Sequence, residues 1–410
     1  MKVLLLSWEY PPVVVGGLGR HVHSLAGHLA AAGHEVVVLA RRPTGTHAGT
    51  HPSTDTVVDG VRVLAVAEDP AHLVFTEDLI AWTLAMGHAM VRAGLALGRH
   101  WRPDVVHAHD WLVAHPAIAL AEHFEVPLVA TLHATEAGRH GGWISGRLNR
   151  QVHSAEWWLA RSAHALITCS AAMRAEVSEL FGGSLLAPIT VLHNGIDLEH
   201  WPCQPRAERT GDPVLLFLGR LEWEKGVQDA IAALARVRRT HPGTRLVVAG
   251  EGSQLLWLRD EARRHRVFRA VTFAGHLRGA QLQGWLARAD AVVLPSRYEP
   301  FGIVALEAAA AGAPLVASSA GGLGEAVLHR VTGLSFTPDD VPGLTAAVQA
   351  VLDDPGAAEV RAAQAKRRLG TDFNWAKIAA GTAEVYARAH RRPPSPLARP
   401  TIPERPLPDR

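Results

Sequence analysis

Short apolar runs alternate with longer amphipathic segments along this chain, and the alternation starts a second time near residue 214. Strands that are apolar throughout are typical of sheets buried on both faces, and helices between successive strands make such sheets parallel. The predicted strands cover residues 3–6, 35–39, 61–66, 104–107, 128–131, 165–168 and 189–192, then 214–218, 245–249, 271–274, 291–294, 315–318 and 333–336. The pattern therefore predicts an α/β protein with two doubly wound domains.

Helical patterns separate many of these strands, and a chain of 410 residues is long enough for two domains. We place the domains at 1–200 and 201–372, because Trp201-Pro-Cys-Gln-Pro205 interrupts any regular element. A helix at 373–391 should pack back on the first domain, and the proline-rich tail 392–410 should be extended or disordered. The predicted helices cover residues 22–33, 79–100, 112–124 and 146–162, then 227–240, 253–264, 280–289, 307–311, 324–327 and 341–353.

The composition excludes several classes of protein. A net charge of +2 provides no strong field for nucleic acid or anionic lipid. The two cysteines, Cys169 and Cys203, form neither a disulfide framework nor a metal-ligand pattern. No uninterrupted apolar stretch reaches the length of about 18 residues that a membrane-spanning helix requires. We therefore expect a cytoplasmic protein with no integral membrane segment and no nucleic-acid partner, and the composition leaves a homodimer open.

The segment from Glu299 to Glu307, Glu-Pro-Phe-Gly-Ile-Val-Ala-Leu-Glu, is the most informative motif. It follows a predicted strand, so Glu299 should lie in a loop at the carboxyl end of that strand and Glu307 in the next helix, about two turns further on. Ligands of α/β folds bind at this edge of the sheet. Backbone N–H groups at a helix N-terminus suit a diphosphate, and a carboxylate beyond them suits the hydroxyls of a sugar or ribose.

A second motif, Gly219-Arg-Leu-Glu-Trp-Glu-Lys225-Gly226, follows the first strand of the second domain. Arg220 and Lys225 can place two positive charges over one diphosphate. The alternative is a pair of solvated surface cations. The position at a carboxyl strand end favours the functional interpretation, and Gly250-Glu251-Gly252 after the next strand can contact the same ligand.

Loops of the first domain carry a further set of candidates. Gly16, Gly17 and Gly19 precede the first helix and let a backbone approach a ligand closely, or simply allow a tight turn. His109-Asp110 and His133 end two other strands and can bind sugar hydroxyls. They could also bind a metal, but their spacing matches no metal motif, so we predict none.

In order and spacing, these motifs resemble those of retaining nucleotide-sugar glycosyltransferases of GT-B architecture, specifically glycosyltransferase family 4 and its glycogen-synthase-like branch. The whole chain is similar to actinobacterial α-1,4-glucosyltransferases of glycogen and methylglucose lipopolysaccharide synthesis. The resemblance implies two Rossmann-like domains whose parallel sheets face each other across a cleft. It also implies an enzyme that moves glucose from UDP- or ADP-glucose to the non-reducing end of an α-1,4-glucan.

The resemblance also implies roles for individual residues. Arg220 and Lys225 would hold the donor diphosphate, Glu299 the hydroxyls of the transferred sugar, and Glu307 the ribose. His133 would contact the 6-hydroxyl, and Asp110 would lie beside it on the acceptor side. The other implied donor-binding residues are Gly17, Gly250, Glu251, Phe301, Gly302 and Ile303, and the other implied acceptor-side residues are Glu9, His109, Glu136 and Asn194.

One departure bears on the donor: bacterial glycogen synthases have a lysine where this chain has Val15. This removes a phosphate contact and leaves UDP-glucose and ADP-glucose both open. No cofactor or metal is expected, because the two cations can stabilise the leaving diphosphate. The alternatives are transfer of mannose or another sugar to a lipid or small acceptor, a non-catalytic glucan-binding protein, and a nucleotide-sugar epimerase or glucan phosphorylase.

Overall fold

The computed structural model describes residues 1–13, 16–42, 53–67, 72–185, 187–201 and 211–391. Within these residues the chain forms two α/β domains, one on an eight-stranded sheet and one on a six-stranded sheet. The first domain contains β1 (Lys2–Ser7), α1 (Gly17–Ala31), β2 (Glu35–Arg42), β3 (Thr54–Val58), β4 (Val61–Ala67), α2 (Leu79–Leu97), β5 (Val105–His109), α3 (Ala114–Phe124), β6 (Leu128–Leu132), α4 (Glu136–Arg139), α5 (Arg147–Ser162), β7 (Ala165–Thr168), α6 (Ala171–Phe181) and β8 (Ile189–Val191).

The second half of the chain repeats this alternation and ends in three helices. It contains β9 (Val214–Leu218), α7 (Val227–Val237), β10 (Arg245–Ala249), α8 (Leu255–Arg264), β11 (Val271–Gly275), α9 (Gly279–Arg288), β12 (Ala291–Leu294), α10 (Ile303–Ala310), β13 (Leu315–Ser318), α11 (Leu323–Ala326), β14 (Leu334–Phe336), α12 (Val341–Asp353), α13 (Pro355–Asp372) and α14 (Trp375–His390). Short 3₁₀ turns lie at Trp111–Val113, Gly182–Ser184, Leu198–His200, Trp223–Lys225 and Phe268–Ala270.

The strand order creates one switch point in each sheet. The first sheet runs β3-β4-β2-β1-β5-β6-β7-β8 and the second β11-β10-β9-β12-β13-β14. The chain therefore moves outward from β1 to β2 and then returns to the other side of β1 with β5. In the second sheet it moves outward from β9 to β10 and β11 and then returns to the other side of β9 with β12. In α/β sheets, ligands bind beyond the carboxyl ends of the strands at such points.

The sequence prediction missed four elements: strand β3, the four-residue helix α4, and helices α6 and α13. Strand β3 pairs antiparallel with β4, and its residues are mostly exposed, so it lacks a continuous apolar run. Helix α13 buries Ala358, Ala362, Ala365 and Leu369, whose spacing is helical but whose side chains are small. Helix α6 is short, and the hydroxyl of Ser170 caps it by accepting from the Met173 N–H.

Helix α14 packs on the first domain although it follows the second in sequence. Its Tyr386 side chain is fully buried, and Tyr386 Oη lies 2.8 Å from His107 Nδ1. Trp375 and Ile378 belong to the same apolar cluster as Val3 of β1. Burial of this apolar face ties the end of the described chain to the first sheet.

Helix α2 is, among the described residues, the one helix long and apolar enough to cross a membrane by length and composition. It packs on the first domain through Trp82, Met86 and Met90, which are buried. A Cβ at Gly94 would lie 2.6 Å from the δ-carbons of Leu120, so glycine at this position allows α2 to pack closely on α3. The opposite face of α2 remains partly exposed, as at Leu84.

Candidate active site

Lys225 and Glu299 meet at the switch point of the second sheet, where the loops after β9 and β12 are neighbours. Lys225 Nζ donates to Glu299 Oε2 over 2.8 Å, and Ser296 Oγ donates to the same oxygen over 3.4 Å. The two charged side chains are 16% and 20% exposed, so the pair lies at the wall of the cleft. Gly226 has a φ of +70°, and a Cβ there would lie 1.9 Å from the Pro295 oxygen. Only glycine therefore lets the two loops approach this closely.

Arg220, the second predicted cation, is half exposed. Arg220 Nη2 donates to Glu224 Oε1 over 2.8 Å. The backbone oxygen of Glu224 accepts from the Arg297 N–H, which ties this loop to the one that carries Glu299. Each predicted cation thus has a carboxylate partner of its own. A diphosphate at this point would share or displace those partners.

Glu307 pairs with a residue that the sequence prediction missed, Arg20 of α1. Glu307 is buried, and its Oε1 accepts from Arg20 Nη1 across the cleft. Burial raises the pKa of Glu307, and the neighbouring Arg20 guanidinium opposes that rise. The available sequence signal was a cation directly after Gly16-Gly17-Leu-Gly19, in the first turn of α1. The first domain therefore contacts the residue predicted to hold the ribose.

The N-termini of α1 and α10 face each other across the cleft. A Cβ at Gly17 would lie 2.8 Å from Ile303 Cδ1, so this approach requires glycine. Gly302, with a φ of +96°, starts α10. Free N–H groups at two helix N-termini favour an anion between them. Glu9, predicted on the acceptor side, is instead buried and accepts from the Gly16 N–H over 2.9 Å, so it supports this loop.

Four histidines form a cluster behind the cleft wall of the first domain. His21 Nδ1 lies 2.7 Å from Asn194 Oδ1, and His109 Nδ1 lies 3.1 Å from His133 Nε2. The rings of His107 and His109 have centroids 4.2 Å apart. Burial lowers the pKa of all four, to about 4 for His133, so the imidazoles are neutral near pH 7. A neutral imidazole can both donate to and accept from a sugar hydroxyl.

Three of these histidines could also hold a metal ion. One ring nitrogen from each of His21, His109 and His133 lies within 4.8 Å of the others. His109 Nε2 is buried without a hydrogen-bond partner among the described residues. Neutral imidazoles are suitable ligands for zinc. The prediction that the reaction needs no metal stays a prediction.

Asp110 lies in a different place from the one predicted. It is buried, with a φ of +63°, and its Oδ1 accepts from the His133 N–H over 2.7 Å. Burial raises the pKa of Asp110 to about 6, although the hydrogen bond from His133 lowers it. Its carboxylate holds the His133 loop, and its burial leaves little of the side chain for a ligand. His109, also predicted on the acceptor side, is fully buried because it lies within the histidine cluster.

Glu136 and Asn194, the remaining acceptor-side candidates, connect elements of the first domain. Glu136 is partly exposed at the start of α4, and its Oε1 accepts from Asn149 Nδ2 over 2.7 Å. Its backbone N–H donates to Glu156 Oε1, also over 2.7 Å. Asn194 is buried against His21. Of the two, Glu136 is the one that an acceptor can reach.

Gly250, Phe301 and Glu251 occupy their loops for different reasons. A Cβ at Gly250, where φ is +146°, would lie 1.8 Å from the Gly219 oxygen, so glycine here packs two loops together. Phe301 is buried and stacks on His193, which leaves only its backbone for a ligand. Glu251 is exposed, and its backbone oxygen accepts from the Leu221 N–H over 2.8 Å.

Direct contacts hold the two domains together beside the cleft, and the sequence prediction missed these as well. Tyr298 Oη accepts from the Thr135 N–H over 3.1 Å. Glu325 of the second domain accepts from the N–H groups of Ala171 and Ala172, at 3.1 and 3.0 Å. A carboxylate at the N-terminus of α6 is favourable because it complements the helix dipole. Val15, Cys203 and the tail 392–410 lie outside the described residues.

The sequence matches two known families, one for each domain. Residues 15–200 match the family described as Glycosyltransferase Family 4, and residues 204–368 match Glycosyl transferases group 1. Over its full length the chain is 62% identical to the glycogen synthase of Mycobacterium tuberculosis, and the alignment of 415 residues covers 100% of both proteins.

Solved structures of the same fold include two glucan- or sucrose-related synthases. The sucrose-phosphate synthase of Thermosynechococcus elongatus superposes with a TM-score of 0.80 at 24% identity, covering 94% of this chain and 98% of that one. The catalytic domain of Arabidopsis thaliana starch synthase IV, bound to ADP and acarbose, superposes with a TM-score of 0.72 at 18% identity, covering 95% and 99%. At these identities the likeness concerns the fold.

Proposed function

Because the chain belongs to the glycosyltransferase family that includes the Mycobacterium tuberculosis glycogen synthase, we propose that it moves glucose from a nucleotide-glucose donor to the non-reducing end of an α-1,4-glucan. The predicted GT-B architecture, with two Rossmann-like domains and parallel sheets, is confirmed. The predicted enzyme class, a glucosyltransferase of glycogen-synthase type, is confirmed by the full-length identity of 62%.

One observation carries the assignment of the donor site: the Lys225–Glu299 pair lies at the switch point between β9 and β12, and Glu307 follows it on α10. A cation at this edge suits the diphosphate, and carboxylates on either side suit sugar and ribose hydroxyls. Glu307 supports this role because it is buried and paired with Arg20, and a ribose would replace that guanidinium with hydroxyl donors.

The proposed reaction retains the configuration at the glucose C1. The bond from C1 to the diphosphate oxygen breaks, the acceptor hydroxyl oxygen attacks C1 from the same face, and its proton passes to the departing diphosphate. Arg220 and Lys225 stabilise the charge that develops on the leaving group. His133, neutral because burial depresses its pKa, orients the sugar through a hydroxyl. Closure of the cleft excludes water that would otherwise hydrolyse the donor.

Independence from metal ions is part of the proposal, as is a cytoplasmic location. Arg220 and Lys225 supply the positive charge that a metal supplies in other phosphate sites. Cys169, buried and unpaired, suits a reducing compartment. Chelation with EDTA should leave the initial rate unchanged. A rate that falls with EDTA and returns with a divalent ion would contradict metal independence and direct attention to His21, His109 and His133.

The decisive experiment is a panel of donors and acceptors. UDP-glucose and ADP-glucose are each incubated with maltooligosaccharides, released nucleotide is measured, and the new linkage is determined. We expect nucleotide release that depends on the glucan and a new α-1,4 bond. UDP-mannose and GDP-mannose with a membrane extract test the alternative of a lipid acceptor. Transfer only in that arm would refute the proposal.

A further inference from the structure

A groove of about 530 Å³ lies on the first domain, outside the site described above. Its walls come from the N-terminal turns of α2 and α3, from the 3₁₀ turn that carries Trp111, and from the first three turns of α5, between Arg147 and Trp158. These helices run antiparallel to the strands that they connect, so their N-terminal turns lie at the carboxyl edge of the first sheet. This is the edge that carries His133 and the acceptor side. The volume falls within the range of about 300–1,000 Å³ that is usual for small-molecule sites.

Two connections join the groove to the active site. Trp111, which lines the groove, directly follows Asp110, which holds the His133 loop. Asn149 of α5 donates to Glu136, the acceptor-side residue that remains partly exposed. Both connections place the rim of the groove beside the loops that carry His133 and Glu136.

The chemistry of the groove suits a carbohydrate. Trp111 and Trp158 provide aromatic surfaces, and Trp158 is 40% exposed although it is a large apolar side chain. Arg147, Arg150 and Gln151 provide hydrogen-bond donors, and none of the described residues that line the groove is acidic. A glucosyl ring presents C–H groups on its faces and hydroxyls around its rim. It can therefore stack on tryptophan and accept hydrogen bonds from neighbouring side chains.

The shape argues against a lipid surface as the occupant. Surface docking on a bilayer requires a protruding apolar face, whereas the exposed side chains of Leu84 and Trp158 line a concave groove. We propose that this groove binds the α-glucan acceptor and holds glucosyl units that lie beyond the reacting end. The inference rests on the proposed function and extends it. It makes affinity depend on acceptor length, because only a longer glucan reaches Trp158.

Trp158→Ala tests the groove, and Trp157→Ala is the matched control. Trp157 is the preceding residue on α5, is 37% exposed, and packs under Arg161 without lining the groove. Initial rates are measured with maltooligosaccharides of increasing length and with glycogen. For Trp158→Ala we expect KM for long acceptors to rise roughly tenfold, the scale of a lost aromatic stacking contact. We also expect kcat, KM for the donor, and KM for the shortest active acceptor to stay at wild-type values.

Several outcomes separate this inference from the proposed function. If the wild-type enzyme extends glucan but Trp158→Ala leaves KM for long acceptors unchanged, the groove proposal is overturned and the proposed function stands. If the wild type extends no glucan, the proposed function fails first. The groove proposal is also overturned if Trp158→Ala raises KM equally for every acceptor length, or if Trp157→Ala raises KM as much as Trp158→Ala does. So does a loss of binding to phosphatidylglycerol vesicles in Trp158→Ala with unchanged glucan kinetics, because the groove would then be a membrane contact.

Discussion

Replacing Lys225 by methionine removes one positive charge from the proposed donor site and keeps most of the apolar stem. Lys225 Nζ lies 2.8 Å from Glu299, and its side chain is only 16% exposed, so solvent screens it weakly. As the C1–oxygen bond breaks, about one negative charge develops on the diphosphate. At about 4 Å and an effective dielectric constant of about 20, the lost attraction is about 4 kcal/mol. Allowing for residual screening, about 3 kcal/mol corresponds to a roughly 10²-fold slower reaction.

The assay is nucleotide release under saturating donor and acceptor, with the melting temperature measured in parallel. Because the attraction strengthens only as charge develops, kcat and kcat/KM should fall by similar factors. Lys377→Met is the control, since Lys377 is exposed on α14 and its Nζ donates to the Thr371 backbone oxygen, outside the carboxylate pairs described above. If Lys225→Met folded normally and kept kcat within about threefold of wild type, the role assigned to Lys225 would be wrong.

Three further predictions concern residues whose roles the tertiary structure revealed. Arg20→Ala should lower the free energy of unfolding by about 1–3 kcal/mol, because it leaves the buried Glu307 carboxylate unpaired. Most of this loss should disappear in the Arg20→Ala/Glu307→Gln double variant. Urea unfolding measures both variants, and additive losses would contradict the pairing. Asp110→Ala should lower kcat about tenfold. Asp110→Asn should keep most of the wild-type kcat, because an amide oxygen still accepts from the His133 N–H. Equal activity of the two variants would refute a positioning role. Burial raises the pKa of Glu156 from 4.5 to about 8. The stability that this residue contributes is therefore present below pH 4.5 and is lost as the pH rises to about 8. Glu156→Gln should remove this pH-dependent loss, and equal changes in the melting temperatures of the wild type and the variant between pH 5 and pH 8.5 would contradict the prediction.

The sequence was a good guide to the strands because strands in a parallel sheet are buried on both faces. Such strands must be apolar throughout, and that property is local: β7, β9, β10, β12 and β13 have the predicted bounds. Elements without a continuous or bulky apolar face carried too weak a signal. That is why β3, which is mostly exposed, and α13, which packs through alanines, were missed.

The candidate site, too, was partly predicted from the sequence and partly missed. Carboxyl strand ends can be recognised from the chain, so the sequence located the loops that carry Arg220, Lys225 and Glu299. The burial of Asp110 and His109 could not be recognised from the sequence. A histidine or aspartate at a strand end has the same sequence signal whether it faces the cleft or packs behind it. Here the fold buries both.

By itself, the sequence determined an α/β chain with two restarting sheets, the loops that end their strands, and the family of the enzyme. The tertiary structure decided the strand order, which makes β9 and β12 neighbours and so joins Lys225 to Glu299. It also paired Arg20 with Glu307, 287 residues away in sequence. The physical reason is that the strand pattern depends on local burial, whereas pairing across a cleft depends on how whole helices and sheets pack. No local pattern records that packing.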